Sequence, residues 1–353
     1  MNLRGTVGPN SQDVTSDRSR RCVEGGFRPF SESRFWRLLT AAGTLACAAT
    51  LLGSLGRFSW FLDLFSHFRG QYTVGLAAVG AMSFLVRRRS AAVIFLAFAG
   101  ANLAFVLPLY LGRPNPPPSD GPVLRAMLIN VNTRLGDPHR VRQAIVAADP
   151  DLLVLQEISS RWARDLAWLT NSHPHHLSEL REDNFGIGLF SKWPIVASEV
   201  VHLGGAGVPS ILATVNVGPT NLRVVATHPV PPAGSLYSRW RNEQLDLLPA
   251  HARSPLPVLL LGDLNITPWN FRFRRLLQQS GLRDSARGFG VQPTWPSFNP
   301  LLRIPLDHCL HSPDTFILHR QVGPDVSSDH FPLIVTFRMA KRATNDGSPT
   351  ISP

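Results

Sequence analysis

The sequence predicts an α/β fold of two packed sheets covered by helices, preceded by a segment of apolar helices. Three observations carry this reading. Short apolar, β-branched runs recur from Leu124 to Phe337, with helical stretches between them. Several of these runs stop at a polar residue. The chain before about residue 115 has another composition altogether, with three long apolar runs.

The first apolar run is Phe35 to Leu55, charged only at Arg37. The second, Tyr72 to Val86, is short for a membrane span. The third, Ala91 to Leu111, is uncharged and about 20 residues long, the length a helix needs to cross a hydrocarbon core. Together they are expected to form three transmembrane helices over residues 35–112. Phe58 to Phe68 is aromatic and interrupted by Asp63, which suits an interfacial stretch better than a span. A cleaved signal peptide is excluded by the length of the first run and the two runs that follow. Thr44-Leu45-Ala46 before Cys47 is a poor lipidation match.

Arginines set the expected orientation. Arg18, Arg20, Arg21, Arg28, Arg34 and Arg37 precede or open the first run, and Arg87, Arg88 and Arg89 separate the second from the third. Only Arg57 and Arg69 lie in the first loop. The positive-inside rule puts the basic segment 1–34 and the triple-Arg loop in the cytoplasm. Three spans then place everything after Gly112 outside the cell membrane. Residues 113–123 are a Pro-rich spacer, 124–340 a soluble domain, and 341–353 a polar tail expected to be disordered.

The formal net charge is +11, and Lys192 and Lys341 are the only lysines. Such a balance suits nucleic acid, anionic lipid or acidic substrates, and membrane-flanking loops account for much of it. Cys22, Cys47 and Cys309 are scattered, so no disulfide framework or zinc site is indicated.

Within 124–340, strands are expected at Ala126 to Val131, Leu152 to Leu155, Ile187 to Phe190, Ile211 to Val217, Leu222 to Ala226, Val258 to Leu261 and Leu333 to Phe337. Helices are expected at Val141 to Ala148, Ser238 to Leu248 and Phe271 to Gln279. The most informative stretch is Leu259-Leu260-Leu261-Gly262-Asp263-Leu264-Asn265. A buried strand that stops at Asp and Asn can hold a hard cation and a phosphate, although Gly-Asp-x-Asn also makes ordinary turns. Similar polar ends occur at Asn130-Val131-Asn132, Gln156-Glu157, Thr227-His228, Asp307-His308 and Ser328-Asp329-His330.

Taken in this order, with Gly186 to Ser191 and Pro293-Thr294-Trp295, these motifs resemble the endonuclease/exonuclease/phosphatase superfamily over residues 124–338. The resemblance implies a four-layer α/β sandwich, two mixed sheets flanked by helices, and Mg2+- or Mn2+-dependent hydrolysis of a phosphate ester. It implies that Glu157 is the principal metal ligand, with Asp329 and Asn130 helping to place metal or phosphate. Asp263 would orient or deprotonate water, and Asn265 would hold a phosphate oxygen. His330 would stabilise developing charge, with Asp307 holding its ring, and His228 would be a second phosphate-facing histidine. The chemistry suits the residue types, because magnesium takes few protein oxygens and a carboxylate behind an imidazole fixes its tautomer.

Asn132 is expected to be a loop hydrogen-bonder, His308 to point away from the site, and Asp284 to be structural. His173, His175 and His176 lack matching carboxylates and are not expected to bind metal. Trp240 and Arg241 are expected to pack rather than line the substrate rim. At His228 the abasic-site endonucleases use Tyr, so this chain is more like the DNase I and lipid phosphodiesterase branches. No basic–aromatic run marks a nucleic-acid track. The expected function is a membrane-anchored phosphohydrolase or phosphodiesterase acting outside the membrane on a lipid-linked phosphate. It is similar to bacterial membrane proteins linked to teicoplanin-type resistance. An extracytoplasmic nuclease acting on DNA or RNA is the alternative, and the intact motif set argues against a non-catalytic binding module.

Overall fold

The computed structural model describes residues 30–112, 121–218 and 220–339. The expected basic segment up to residue 29, most of the Pro-rich spacer and the polar tail lie outside the described residues. The chain forms two compact units, Met1–Ala42 and Gly43–Pro353. The first contributes the start of α1 (Phe30–Ser54). The rest of α1 and all later elements belong to the second.

After α1 come α2 (Trp60–Leu64), a 3-10 turn (Phe65–Phe68), α3 (Arg69–Leu85) and α4 (Arg89–Val106). From Gly43 onward, α1 runs parallel to α4. Gly43 lies against the Phe95 ring with no room for a side chain, and Asn102 Nδ2 donates to Thr50 Oγ1 at 2.8 Å. α3 runs back between them. Arg69 at its start donates to Asn102 Oδ1 at 3.2 Å and Ser54 Oγ at 3.3 Å, while Gly80 near its end abuts Leu96.

The expectation of three spans needs correction. Among the described residues, two helices are long and apolar enough to cross a membrane, Arg34–Ser54 and Arg89–Leu109, each 21 residues, with mean hydropathy 1.4 and 2.2. α3 has 17 residues. That is a rise of about 25 Å against a hydrocarbon core of about 30 Å. It also opens on a buried arginine.

The remaining elements in chain order are β1 (Val123–Asn130), α5 (Pro138–Ala148), β2 (Leu152–Gln156), α6 (Ser160–Asp165), α7 (Leu169–Ser172), β3 (His175–Glu179), β4 (Ile187–Ser191), β5 (Ile195–His202), β6 (Pro209–Asn216), β7 (Asn221–Thr227), α8 (Ser235–Ala252), β8 (Val258–Asp263), α9 (Phe271–Ser280), β9 (Arg283–Asp284), β10 (Asp307–His311), β11 (Thr315–Val322) and β12 (Leu333–Met339). They build two six-stranded sheets, ordered β11-β12-β1-β2-β4-β3 and β5-β6-β7-β8-β10-β9. In each sheet one central pair is parallel, β1 with β2 and β7 with β8, and the other pairs are antiparallel. Both sheets are therefore mixed.

The central strands are buried on both faces, which is why they read as unbroken apolar runs. Leu124, Ala126 and Leu128 of β1 join the core between the sheets, while Met127 and Ile129 pack with Val141 and Ile145 of α5. In β8, Leu259 and Leu261 face the same inter-sheet core, and Val258 and Leu260 pack with Leu245 of α8 and Leu276 of α9. The layers are thus helix, sheet, sheet, helix. Asp137 starts α5, its Oδ1 accepting from the His139 and Arg140 amides with Pro138 in the first turn.

One side chain joins the two sheets at the polar edge. Gln156, fully buried at the end of β2, donates Nε2 to the Thr227 carbonyl at 2.7 Å and accepts the Asp263 amide on Oε1 at 3.1 Å. Replacing it by leucine keeps the volume but leaves both backbone groups buried and unpaired. Gln156→Leu is expected to cost about 2–6 kcal/mol, from about 1–3 kcal/mol for each of the two stranded groups. A chemical or thermal melt that moves by less than a quarter of this would contradict the clamp.

Candidate active site

The polar strand ends meet at one edge of the sandwich. Asn130 ends β1, Glu157 follows β2, His228 follows β7, and Asp263 ends β8. Asp307 opens β10 opposite Asp263 in the antiparallel register. Asp329 and His330 lie in the loop before β12. Glu157, His228, Asp263, Asn265, Asp329 and His330 all line one cavity of about 520 Å3. Every residue proposed for the site from sequence is in this cavity or in hydrogen-bond contact with a residue that is.

Backbone constraints set the cavity floor. A Cβ at Gly262 would lie 2.0 Å from the Thr227 carbonyl oxygen, so only glycine lets β8 pass β7 this closely. Glu157 and Asn265 have φ of +62° and +51°. Left-handed backbone at non-glycine residues costs about 1–3 kcal/mol each and persists where surroundings fix it, commonly at functional sites. Asn265 is fixed by its amide on Asp263 Oδ1 at 2.9 Å and its Nδ2 on the Pro229 carbonyl at 2.9 Å.

Four ionisable side chains form a buried line. His330 Nδ1 donates to Asp307 Oδ2 at 2.8 Å. His330 Nε2 and His228 Nε2 both converge on Asp263 Oδ2 at 3.5 Å. Burial opposes charge on His330, but the Asp307 and Asp263 carboxylates outweigh it and raise its pKa to about 10. His228 is also raised, burial again being overcome by the hydrogen bond and charge of Asp263. For Asp263, burial opposes ionisation, yet the two imidazoles hold its pKa below the usual carboxylate value. Thr294 Oγ1 receives the Leu306 and Asp307 amides at 3.3 Å, which fixes the start of β10.

Glu157 lies beside this line. Its Oε1 accepts Asn130 Nδ2 at 2.9 Å and its Oε2 the Thr133 amide at 3.3 Å. Both partners are neutral, and burial pushes its pKa up, with the Asp329 carboxylate adding to the rise. Asp329 accepts Asn132 Nδ2 at 2.8 Å and Trp295 Nε1 at 3.2 Å, again from neutral donors. Two neighbouring carboxylates held only by neutral donors fit a hard divalent cation, which takes oxygen ligands and keeps waters. Among the described residues, no group of three or more His, Cys, Asp or Glu is arranged as a full ligand set. Asn130 stands behind Glu157, its oxygen accepting the Asn132 amide at 3.1 Å.

Other sequence expectations resolve case by case. His308 is buried on the far face of β10 against Phe273 and the Ile266 carbonyl, away from the cavity. Asp284 caps the Ala286 amide. His173 bonds the Pro150 carbonyl, and His176 stacks on Phe190. Asn132 bonds within its loop through Oδ1, but its Nδ2 also holds Asp329. Arg241 does more than pack. It is buried, donates Nη1 to the Asn265 carbonyl at 3.1 Å, and pairs through Nη2 with Asp63 Oδ2 of α2 at 2.8 Å.

Sequence reasoning also missed Leu64, His67 and Phe68, which line the same cavity from the 3-10 turn and the end of α2. The one available signal was Asp63, a lone charge inside an aromatic stretch, with Ser66 and His67 after it. Those polar residues are buried against the sandwich. Asn270 Nδ2 donates to Asp63 Oδ1 and Ser66 Oγ, and Trp269 Nε1 donates to the His67 carbonyl at 3.1 Å.

Comparisons with known proteins identify the family and the fold. The model of the Endonuclease/Exonuclease/phosphatase family matches residues 127–330, more than half of the chain. The chain belongs to that family. Members of the family hydrolyse phosphoric esters and generally use divalent metal ions. No curated protein matches the chain. Many solved structures match the chain, among them the following three. An endonuclease/exonuclease/phosphatase from Beutenbergia cavernae is 22% identical, with a TM-score of 0.51, covering 62% of this chain and 72% of that one. TDP2 from D. rerio, complexed with single strand DNA product, is 18% identical, with a TM-score of 0.53, covering 62% and 99%. The human Nocturnin catalytic domain with bound sulfate is 19% identical, with a TM-score of 0.51, covering 63% and 96%.

The raised His330 pKa has two consequences. It contributes stability that is complete below the ordinary value of 6.5 and is lost as pH rises through about 10. If the imidazolium is needed for turnover, the basic limb of the kcat/KM profile falls near the same upper value. Asp307→Asn removes the carboxylate hydrogen-bonded to His330 Nδ1 and is expected to move that limb down by more than about one pH unit. An unmoved limb would separate Asp307 from catalysis.

Proposed function

We propose that this chain is a membrane-anchored phosphohydrolase or phosphodiesterase that uses a divalent cation, Mg2+ or Mn2+, and acts outside the cell membrane on a lipid-linked phosphate or phosphodiester. The observation that carries the reaction type is the convergence of two imidazoles on one buried carboxylate, beside two further carboxylates held by neutral donors.

Roles follow from position. Asp263 stays ionised and accepts a hydrogen bond from the attacking water through Oδ2. His330, kept cationic by Asp307, donates Nε2 toward a phosphate oxygen as charge builds there. His228 is close enough to the same point to donate to the leaving oxygen. Asn265 fixes the loop beyond Asp263. Glu157 and Asp329 would hold the cation, with Asn130 orienting Glu157 and Asn132 and Trp295 orienting Asp329. When bound, the cation supplies Lewis acidity and neutralises phosphate charge.

The membrane reading rests on α1 and α4, which run the same way and bring their C-terminal ends to the sandwich, with α3, short of a full hydrocarbon span, returning the chain between them. Ser54 is joined to α3 through Arg69, and the Leu109 carbonyl after α4 accepts the Gly288 and Gly290 amides at 2.8 Å. Arg87, Arg88 and Arg89 lie at the other end of α3 and α4, where the positive-inside rule favours cytoplasm. Phe58 and Phe61 beside the sandwich are 68% and 54% exposed, as aromatic residues at a membrane surface would be.

A panel of lipid phosphates, alkyl phosphodiesters and plasmid DNA tests the reading, with wild type and Glu157→Gln in parallel. Lipid phosphoesters should be hydrolysed fastest. Chelation should stop turnover and added Mg2+ restore it, and the variant should lose about 100-fold or more in kcat/KM. Rapid plasmid nicking with inert lipid substrates would favour an extracytoplasmic nuclease. A C-terminal reporter that works only outside the cytoplasm should be active, and a reporter active only in the cytoplasm would reverse the orientation.

A further inference from the structure

We propose that the segment preceding α3 completes the substrate cleft, with Leu64 and Phe68 gripping an apolar chain attached to the phosphate and His67 donating a hydrogen bond to the same substrate. This rests on the phosphoester reading of the site.

The cavity lining is of two chemical kinds. Glu157, His228, Asp263, Asp329 and His330 are polar, and Leu64, Phe68, Phe185, Pro231 and Pro232 are apolar, with the Phe185 ring 5.5 Å from that of His228. Leu64, Phe68, Phe185, Pro231 and Pro232 are each half-buried, so they present apolar surface to the opening and not to a closed core. A bare sugar phosphate has little apolar surface to set against such a wall. An amphiphile does, because each methylene moved from water onto apolar surface is favourable. The wall is also at the correct place for a chain lying in a membrane. Its Leu64 and Phe68 are carried by the segment between α1 and α3, near the exposed rings of Phe58 and Phe61, while Phe185, Pro231 and Pro232 come from loops of the sandwich.

His67 supplies the independent observation. It is 5% exposed and lines the cavity, yet its Nε2 has no hydrogen-bond partner. Its Nδ1 lies 3.1 Å from Thr267 Oγ1. Thr267 is fully buried, and its hydroxyl makes no other hydrogen bond among the described residues, so the hydroxyl donates to Nδ1. That leaves Nε2 carrying the proton. Burial lowers the His67 pKa to about 4, so the ring is a neutral donor. A buried donor without an acceptor is costly, and a ligand oxygen entering this cavity would relieve it. The segment is held rigidly for this task by Asp63 on Arg241 and Asn270, and by the Trp269 indole on the His67 carbonyl.

The test uses the full chain in detergent and two ester series, alkyl phosphates and alkyl p-nitrophenyl phosphates, from ethyl to octyl and below their micelle concentrations. Wild-type kcat/KM should rise roughly twofold or more per methylene. Phe68→Ser should cut the total ethyl-to-octyl gain by about tenfold or more, and Leu64→Gln, which reads the same wall should Phe68→Ser not fold, should do likewise. His67→Phe should raise KM for every chain length by about threefold or more while keeping the slope. A wild-type slope that both wall variants retain would overturn the cleft and leave the phosphoester reading standing. A flat wild-type profile with good turnover would also overturn it. Failure to hydrolyse any ester, with DNA cleaved instead, would remove the proposed function itself. An unchanged KM in His67→Phe would sink the hydrogen bond to substrate.

Discussion

A carboxylate fully enclosed at the end of β8, with two imidazole nitrogens 3.5 Å from one of its oxygens, is the constraint around which the rest of the site is organised. Taking ions out of water costs several kcal/mol apiece, so Asp263 can sit there only with opposite charge fixed beside it. His330 provides that charge because Asp307 backs it at 2.8 Å. The surrounding structure serves this line. Gly262 allows the close passage of β7 and β8, Thr294 pins the start of β10, and Gln156 ties the two sheets together directly beneath Asp263. Two mixed sheets facing each other are needed to bring ends of β1, β2, β7, β8 and β10 to one point.

Much of this was legible in the sequence because of a simple contrast. Strands buried on both faces read as runs such as Val258 to Leu261, and a polar residue at the end of such a run stands out. That is how Asn130, Glu157, His228 and Asp263 could be picked out, whereas Asp307 and His330 stood out only through the motifs Asp307-His308 and Ser328-Asp329-His330. Strands without that contrast were missed. β5 is exposed along much of its length, and β3 carries two histidines, a serine and a glutamate. β10 was passed over because its residues, Asp307 to His311, mix polar and apolar types although all are buried. The span count erred for a related reason, since composition does not fix where a helix starts, and α3 starts at a buried, hydrogen-bonded Arg69.

What stayed hidden were pairings across long sequence distances. Arg241 meets Asp63 across 178 residues, and His67 meets Thr267 across 200. Neither residue type at either position announces a partner. Together they make the short α2 segment part of the catalytic cavity and not merely a tether, and Arg241 reaches on to the Asn265 carbonyl beside Asp263. The apolar-helix segment and the cavity are thus one structure, which gives a physical reason for this family's sandwich to be joined to apolar helices in this chain.

The charge state of His330 is the measurement closest to the centre of this account. Ring-nitrogen NMR of the full chain with labelled histidine reads it directly. His330 should keep protons on both ring nitrogens well above the ordinary imidazole value of 6.5 and lose one only at about 10. A His330 ring that is neutral above pH 6.5, titrating as an ordinary imidazole, would contradict it.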